Sequence, residues 1–338
     1  MADTSVPAKR SQPRPPSDER TWIREVPQIL RGLAIALFAF AGGFLALTLL
    51  LIAFYFPRQV DDPLTPAELA EQEGYYSGVY DDQAEEADEE PEDSRYVEIA
   101  KRAAENAQIV PTVTEFVRRY HLENAKVLDV GAGRGYLQDV VDDYTGLDIS
   151  PTSERFFHKP FVRASATAMP FEDNEFDLEW SVWVLEHVPN PEAALTEMRR
   201  TVKDGGFLYL EPAWNASPWA ADGYEVRPYS DFGMQGKLWK ALWPADMFAR
   251  RVVSPAIRLI RYASWRMDEK PTQLRYNPIE PNYETYWVPD SDAVNDLDRY
   301  ETELWFLSRG DECLNCEGAL QGLGSVEPVL IIRVHKGG

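Results

Sequence analysis

From Gly32 to Phe56 the chain runs 25 residues without a charged side chain, nearly all of them Leu, Ala, Phe, Ile or Gly. As a helix rising about 1.5 Å per residue, the run reaches roughly 37 Å, enough to cross a hydrocarbon layer of about 30 Å with some tilt. Tyr55 and Arg58 stand where an interfacial anchor belongs. The run is too long for a signal-peptide core, and no small-residue cleavage site follows it. The pattern therefore predicts one transmembrane helix over 32–56.

Further on, short apolar runs alternate with a helical pattern. Lys126–Val130, Tyr144–Asp148, Phe161–Ala164, Phe176–Val182 and Gly206–Glu211 read as five strands. Pro191–Val202 places Ala194, Leu195, Met198 and Val202 on one helical face. Ser291–Ser308 reads as a second helix, stopped at Gly310, and strands near Glu312–Cys316 and Pro328–His335 close the series. Strands alternating with helices predict a parallel sheet with right-handed crossovers, open to a ligand at its carboxyl edge.

Charge divides the chain further. The 338 residues carry 34 basic and 56 acidic groups, a net charge of −22. Residues 1–31 hold six basic groups against four acids and read as a disordered basic tail. Residues 57–95 read as an extended acidic linker, since 59–95 contain fourteen acids and one base. Apolar residues at 44% exclude a wholly disordered protein, and the acidic balance argues against a nucleic-acid partner. The function therefore belongs to 96–338.

The first strand runs into Asp129-Val130-Gly131-Ala132-Gly133-Arg134-Gly135. Glycines there permit a tight turn and close approach of a ligand, with a helix N-terminus expected behind it. A dinucleotide fingerprint needs a third glycine at position 136, which is Tyr136. An acid followed by Gly-x-Gly-x-Gly instead resembles motif I of the class I S-adenosylmethionine-dependent methyltransferases. Asp148 follows nineteen residues after Asp129, at the end of the second strand. Ala164–Phe171, Asp173–Asp177, Trp180-Ser181, Val184–Val188 and Asp204-Gly205-Gly206 are similar to the later motifs of the methyltransferase type 11 group.

The resemblance implies a Rossmann-like α/β fold with a seven-stranded methyltransferase sheet, to which this sequence adds an inserted cap and one preceding transmembrane helix. It implies S-adenosylmethionine as cofactor. Asp129 and the backbone of Gly131, Ala132, Gly133 and Gly135 would hold the methionine portion, with the carboxylate favouring its ammonium. Asp148 would hold the ribose, Ile149 would pack on the adenine, and Ser165 and Ala166 would face the adenine edge. Two positions depart from the pattern. Ser165 stands where an acid is common, and Glu179 lies within a strand expected to be buried on both faces. Glu179 either pairs with an arginine or reaches the sheet's carboxyl edge.

Methyl transfer needs alignment first and a base only for some acceptors, mainly hydroxyls. His187 is the candidate base by position, and a structural residue in the plainer reading. Glu211, Tyr229 and Asp231 are weaker candidates. No metal site is expected from four histidines and two cysteines. Cys313 and Cys316 read as two ordinary strand cysteines.

Residues 212–290 form an insertion rich in Trp and Tyr, expected to cap the acceptor site. Most of those aromatics would form the cap's own core. Arg250, Arg251, Arg258, Arg261 and Arg266 make a basic amphipathic stretch suited to lipid headgroups or to a solvated helix face. The acceptor is accordingly a small molecule, a lipid-linked group or a glycan, presented at a membrane. The alternative is a non-catalytic, membrane-tethered binding protein of the same fold. The basic residues before the span favour an external domain, whereas cofactor supply favours a cytoplasmic one, which is the expectation adopted. The oligomeric state is left open by the sequence.

Overall fold

The computed structural model describes residues 30–46, 65–79, 101–216, 228–279, 281, 292–316 and 328–337. The chain divides into two units, Met1–Phe54 and Tyr55–Gly338. In the first, residues 30–46 form one exposed helix (α1). Residues 1–29 of the expected basic tail and 47–56 of the expected span lie outside the described residues. Among the described residues no helix is long and apolar enough to cross a membrane.

The second unit holds helices α2 (Pro66–Val79), α3 (101–106), α4 (Ile109–Arg119), α5 (Pro191–Thr201), α6 (Met234–Asp268) and α7 (Arg299–Leu307). Its strands are β1 (Val127–Val130), β2 (Tyr144–Asp148), β3 (Phe161–Arg163), β4 (Phe176–Val182), β5 (Val202–Glu211), β6 (Tyr276–Pro278), β7 (Asn295–Leu297), β8 (Glu312–Cys313) and β9 (Leu330–Arg333). Seven strands form one sheet in the order β3-β2-β1-β4-β5-β9-β8. The first five run parallel, while β9 is antiparallel to both β5 and β8. This mixed sheet with helices on both faces is the Rossmann-like arrangement expected.

Strand periodicity explains the two apolar layers. Leu128, Val130, Leu208 and Leu210 face Leu195 and Met198 of α5 and Trp305 and Phe306 of α7. Val127, Leu178, Trp180 and Tyr209 face the opposite way, onto Val113, Phe116 and Val117 of α4. Asp129, between two inward-facing neighbours of β1, pairs in register with Gly146 on β2 and Trp180 on β4.

Several expectations are corrected. No helix follows the glycine turn, and residues 131–143 make successive turns such as Gln138 N–H to Gly135 O (3.1 Å) and Val140 N–H to Leu137 O (3.0 Å). The crossover is short, and i→i+3 turns rise about 2.0 Å per residue against 1.5 Å for an α-helix, so they span the sheet with fewer residues. Residues 291–308 are not one helix. Asn295–Leu297 pairs with Tyr276–Pro278, and α7 starts only after Asp298, whose side chain accepts from Glu301 N–H at 3.0 Å.

The stretch read as an acidic linker contains α2; 57–64 and 80–95 lie outside the described residues. Cys313 and Cys316 are bonded to each other, with Cα atoms 5.5 Å apart, rather than being separate thiols. Of the cap, the described residues show α6 and β6. Tyr276 is buried and donates to Pro189 O (3.1 Å), which fits a core role. Trp219, Tyr224, Tyr283, Tyr286 and Trp287, and the side chains of Trp239, Trp243, Arg250 and Arg251, lie outside the described residues.

Glu179 does neither of the two things expected of it. Its fully buried carboxyl accepts from the Thr201 hydroxyl at 2.6 Å, and burial pushes its pKa well above the usual range. A carboxyl protonated in the fold but ionised in the unfolded chain favours the fold below its unfolded pKa, and that contribution is lost as pH rises. Glu179→Gln is expected to stabilise the domain by about 1–3 kcal/mol at pH ~8 and much less at pH ~5. Denaturant midpoints at the two pH values check this.

Candidate active site

The site is built on the carboxyl ends of β1, β2 and β4. Gly131 takes a φ of +78°, and a Cβ there would lie 2.4 Å from both Val184 methyl groups. Only glycine meets both conditions. With that turn made, the loop folds flat on β2, and Gly131 and Ala132 both donate to Leu147 O (2.8 and 2.9 Å). Gly133 N–H then reaches Asp148 Oδ2 at 2.8 Å, while Ser150 N–H reaches Oδ1 at 2.8 Å. Gly135, at φ +70°, donates to Ala132 O (2.8 Å) and completes the turn.

Asp148 is thus a buried carboxylate with one backbone donor on each oxygen. Each oxygen keeps a further acceptor position, which suits a vicinal pair of hydroxyls. Burial raises its pKa, and its backbone donors, Ser150 and Gly133 foremost, hold it down. Asp129 is buried on the neighbouring strand and accepts the Tyr144 hydroxyl at 2.7 Å. Burial pushes its carboxyl up to about 7, against the pull of Tyr144 and Trp180 and with a smaller push from Asp148.

Ile149, Ser165 and Ala166 are half-buried beside Asp148, brought there by the Ala164 N–H to Asp148 O bond (3.0 Å). The structure therefore gathers all nine predicted cofactor residues on one edge. The Ser165 hydroxyl lies 2.9 Å from that of Thr167 and accepts from Thr167 N–H at 3.2 Å, forming a local turn.

His187 sits just beyond β4. Its Nδ1 is 3.4 Å from Asp292 Oδ2 and its Nε2 is 3.7 Å from Glu186 Oε1, both carboxyls being buried. Of the weaker candidates, Glu211 is buried and accepts the Tyr209 hydroxyl at 2.7 Å, while Tyr229 is exposed. The Asp231 side chain lies outside the described residues.

Helix α2 is the component that sequence reasoning missed. The Ser150 and Thr152 hydroxyls donate to Tyr76 O (3.2 Å) and Ser77 O (3.0 Å), satisfying carbonyls that the last turn of a helix leaves open. Arg163 pairs with Glu73 (3.1 Å), and Gln72 Nε2 donates to His187 O (2.6 Å). The Tyr76 hydroxyl donates to Asp292 Oδ2 (3.2 Å), and its ring packs edge-on against His187. So α2 bridges the ends of β2 and β3 to the segment after β4, across the edge that carries Asp148. A signal was available in Thr65-Pro66-Ala67-Glu68, a capping-box pattern with proline at the first helical position.

Comparison with known proteins addresses the same region. Residues 128–210 match the family model described as a methyltransferase domain. An uncharacterized methyltransferase of Mycobacterium tuberculosis is 40% identical over 95 residues, covering 25% of this chain and 37% of the relative. The sterol 4-C-methyltransferase of Caenorhabditis elegans is 31% identical over 99 residues, covering 25% of this chain and 30% of the relative. A solved amino pentose methyltransferase from Micromonospora echinaspora is 19% identical over 34% of this chain and 56% of its own, with a TM-score of 0.29. The chain spans about a third of the length of the curated relatives named here.

Proposed function

We propose that the chain is an S-adenosylmethionine-dependent methyltransferase acting on a small-molecule, lipid-linked or glycan acceptor at a membrane. The observation that carries this reading is the pair of buried carboxylates, Asp129 and Asp148, flanking a glycine turn that a Cβ would block. The residues fit the cofactor. In this reading Asp129 takes the methionine ammonium, Asp148 the two ribose hydroxyls, and Ile149, Ser165 and Ala166 the adenine. When bound, the cofactor supplies an electrophilic methyl group for in-line displacement, so the protein's main work is alignment. In this reading His187 shapes the acceptor side rather than serving as the base, because both its ring nitrogens already face Glu186 and Asp292.

The test is calorimetric titration of S-adenosylmethionine into the full chain. Micromolar binding supports the proposal, and a folded chain that does not bind at millimolar cofactor overturns it. A second reading, a non-catalytic protein of the same fold, is favoured by the Ser165 hydroxyl turning into its own loop and by the missing helix behind Gly135. Failure to bind would select it.

The Asp129 carboxyl must be ionised to face an ammonium, and at about 7 its pKa lies within the working range. Binding is therefore expected to tighten roughly three- to tenfold between pH ~6 and ~8. Asp129→Asn should bind weakly with a flat profile, and titrations across that range check both.

We place the domain at a membrane through residues 32–56, on the cytoplasmic side where the cofactor is made. The Cys313–Cys316 bond favours the opposite side, since such bonds persist in oxidising compartments. Protease protection on sealed vesicles distinguishes the two.

A further inference from the structure

Helix α6 is 35 residues long, roughly 52 Å, and its described ion pairs with α7 lie on one face. On that face Arg258 pairs with Asp298 (2.7 Å) and Arg261 with Glu301 (2.8 Å), so these two arginines serve α7 and are not available to lipid. Asp298 and Glu301 belong to the first turn of α7 and its cap, and Glu301 is buried.

Among the described residues, the opposite face carries an exposed apolar row. Met234, Leu238, Leu259, Ile260 and Met267 fall within a sector of about 100° on a helical projection, the width of an apolar stripe that normally faces a core. Ile260 is 66% exposed and Met267 79%. Lys237, Arg266 and Lys270 are exposed along the same side. Residues 234–270 hold eight basic side chains against three acidic ones, in a chain whose net charge is −22. A basic, apolar-faced helix on a strongly acidic protein is matched to an anionic, apolar layer, and the uncharged run 32–56 of the same chain is long enough to sit in one.

We infer that the outward face of α6 lies on the surface of an anionic lipid bilayer. Its apolar row enters the headgroup boundary, and Lys237, Arg266 and Lys270 sit among the phosphates. The bilayer is then on the side of the domain formed by the cap, which is the side from which a lipid or lipid-linked acceptor would be drawn. This rests on the membrane reading proposed above, and the two can fail separately.

Both native cysteines are bonded to each other, so Ile260→Cys in the full chain offers one thiol for a nitroxide label. The labelled chain is mixed with vesicles of phosphatidylcholine and phosphatidylglycerol and floated on a density gradient. Flotation reports membrane attachment, and the label's relative accessibility to oxygen and to a water-soluble nickel complex reports α6. The expected result is flotation with a severalfold excess of oxygen accessibility, reversed by adding Leu259→Asp and Met267→Asp. Flotation with a water-exposed label overturns the inference about α6 and spares the anchor. Spin–spin broadening would show a second copy on this face and overturns it too, and a chain that does not float overturns both readings.

Discussion

Replacing Asp148 by alanine is expected to weaken S-adenosylmethionine binding by roughly 100-fold or more. Each ribose hydroxyl bonded to the carboxylate contributes about 1.5–3 kcal/mol as a charge-assisted hydrogen bond, and both are lost together. The same change strands Gly133 N–H and Ser150 N–H, which now rest on the two carboxylate oxygens. A stability loss of about 1–3 kcal/mol should accompany the loss of affinity. Asp148→Asn separates the two effects, because its amide oxygen still accepts while its NH2 group meets a backbone donor. It should fold better than the alanine variant yet bind cofactor poorly. Calorimetric titration alongside denaturant unfolding of both variants checks this, and unchanged affinity in Asp148→Ala would refute the assignment.

Gly131→Ala should be among the most damaging single substitutions in the domain, at about 3–5 kcal/mol. Two costs add. The backbone is left-handed at φ +78°, and the new methyl would sit 2.4 Å from both Val184 methyl groups. They separate in the double variant with Val184→Ala. That change removes the two methyl groups but leaves the Val184 Cβ position 2.9 Å from the new atom. The double variant should recover only part of the loss, leaving the backbone strain and the residual contact. Full recovery would show that sterics alone make glycine necessary here. Equilibrium unfolding of the wild type, both single variants and the double variant measures it.

How much of this was legible beforehand depended on the reach of each signal. The five parallel strands lie where the apolar runs put them because both faces of a parallel sheet are buried, which leaves a dense local pattern. The extra length of β5 was hidden because Lys203, Asp204 and Gly205 look like a loop, although Val202 already pairs opposite Phe176. The helix expected after Gly135 came from reading the glycine turn as the entry to a helix, whereas the residues that follow make successive i→i+3 turns. Leu297 fits a helical row with Tyr300 and Leu304, yet its partner is β6, a pairing with residues some twenty positions upstream that no local window contains. Helix α2 was lost to averaging, since charge counted over 59–95 swamped the capping pattern at Thr65. The cofactor residues were legible by resemblance, whereas Tyr76, Gln72 and Asp292 come together around His187 only in three dimensions.

The attachment of α2 has a consequence for where the chain can be divided. Its contacts run to Ser150, Thr152, Arg163, His187 and Asp292, four stretches of chain that lie far from it in sequence. A fragment starting at residue 96 would keep every strand of the sheet and still lose that covering, leaving the Ser150 and Thr152 hydroxyls and the His187 carbonyl to water. Helix α2 is held by side chains and helix-end carbonyls rather than by a strand ladder, so it should open before the sheet does, with faster amide exchange over 66–79 than over β1. The smallest piece that carries a complete site therefore begins at Thr65. The acidic run Asp81–Asp93 joins two parts of one domain rather than leading up to it.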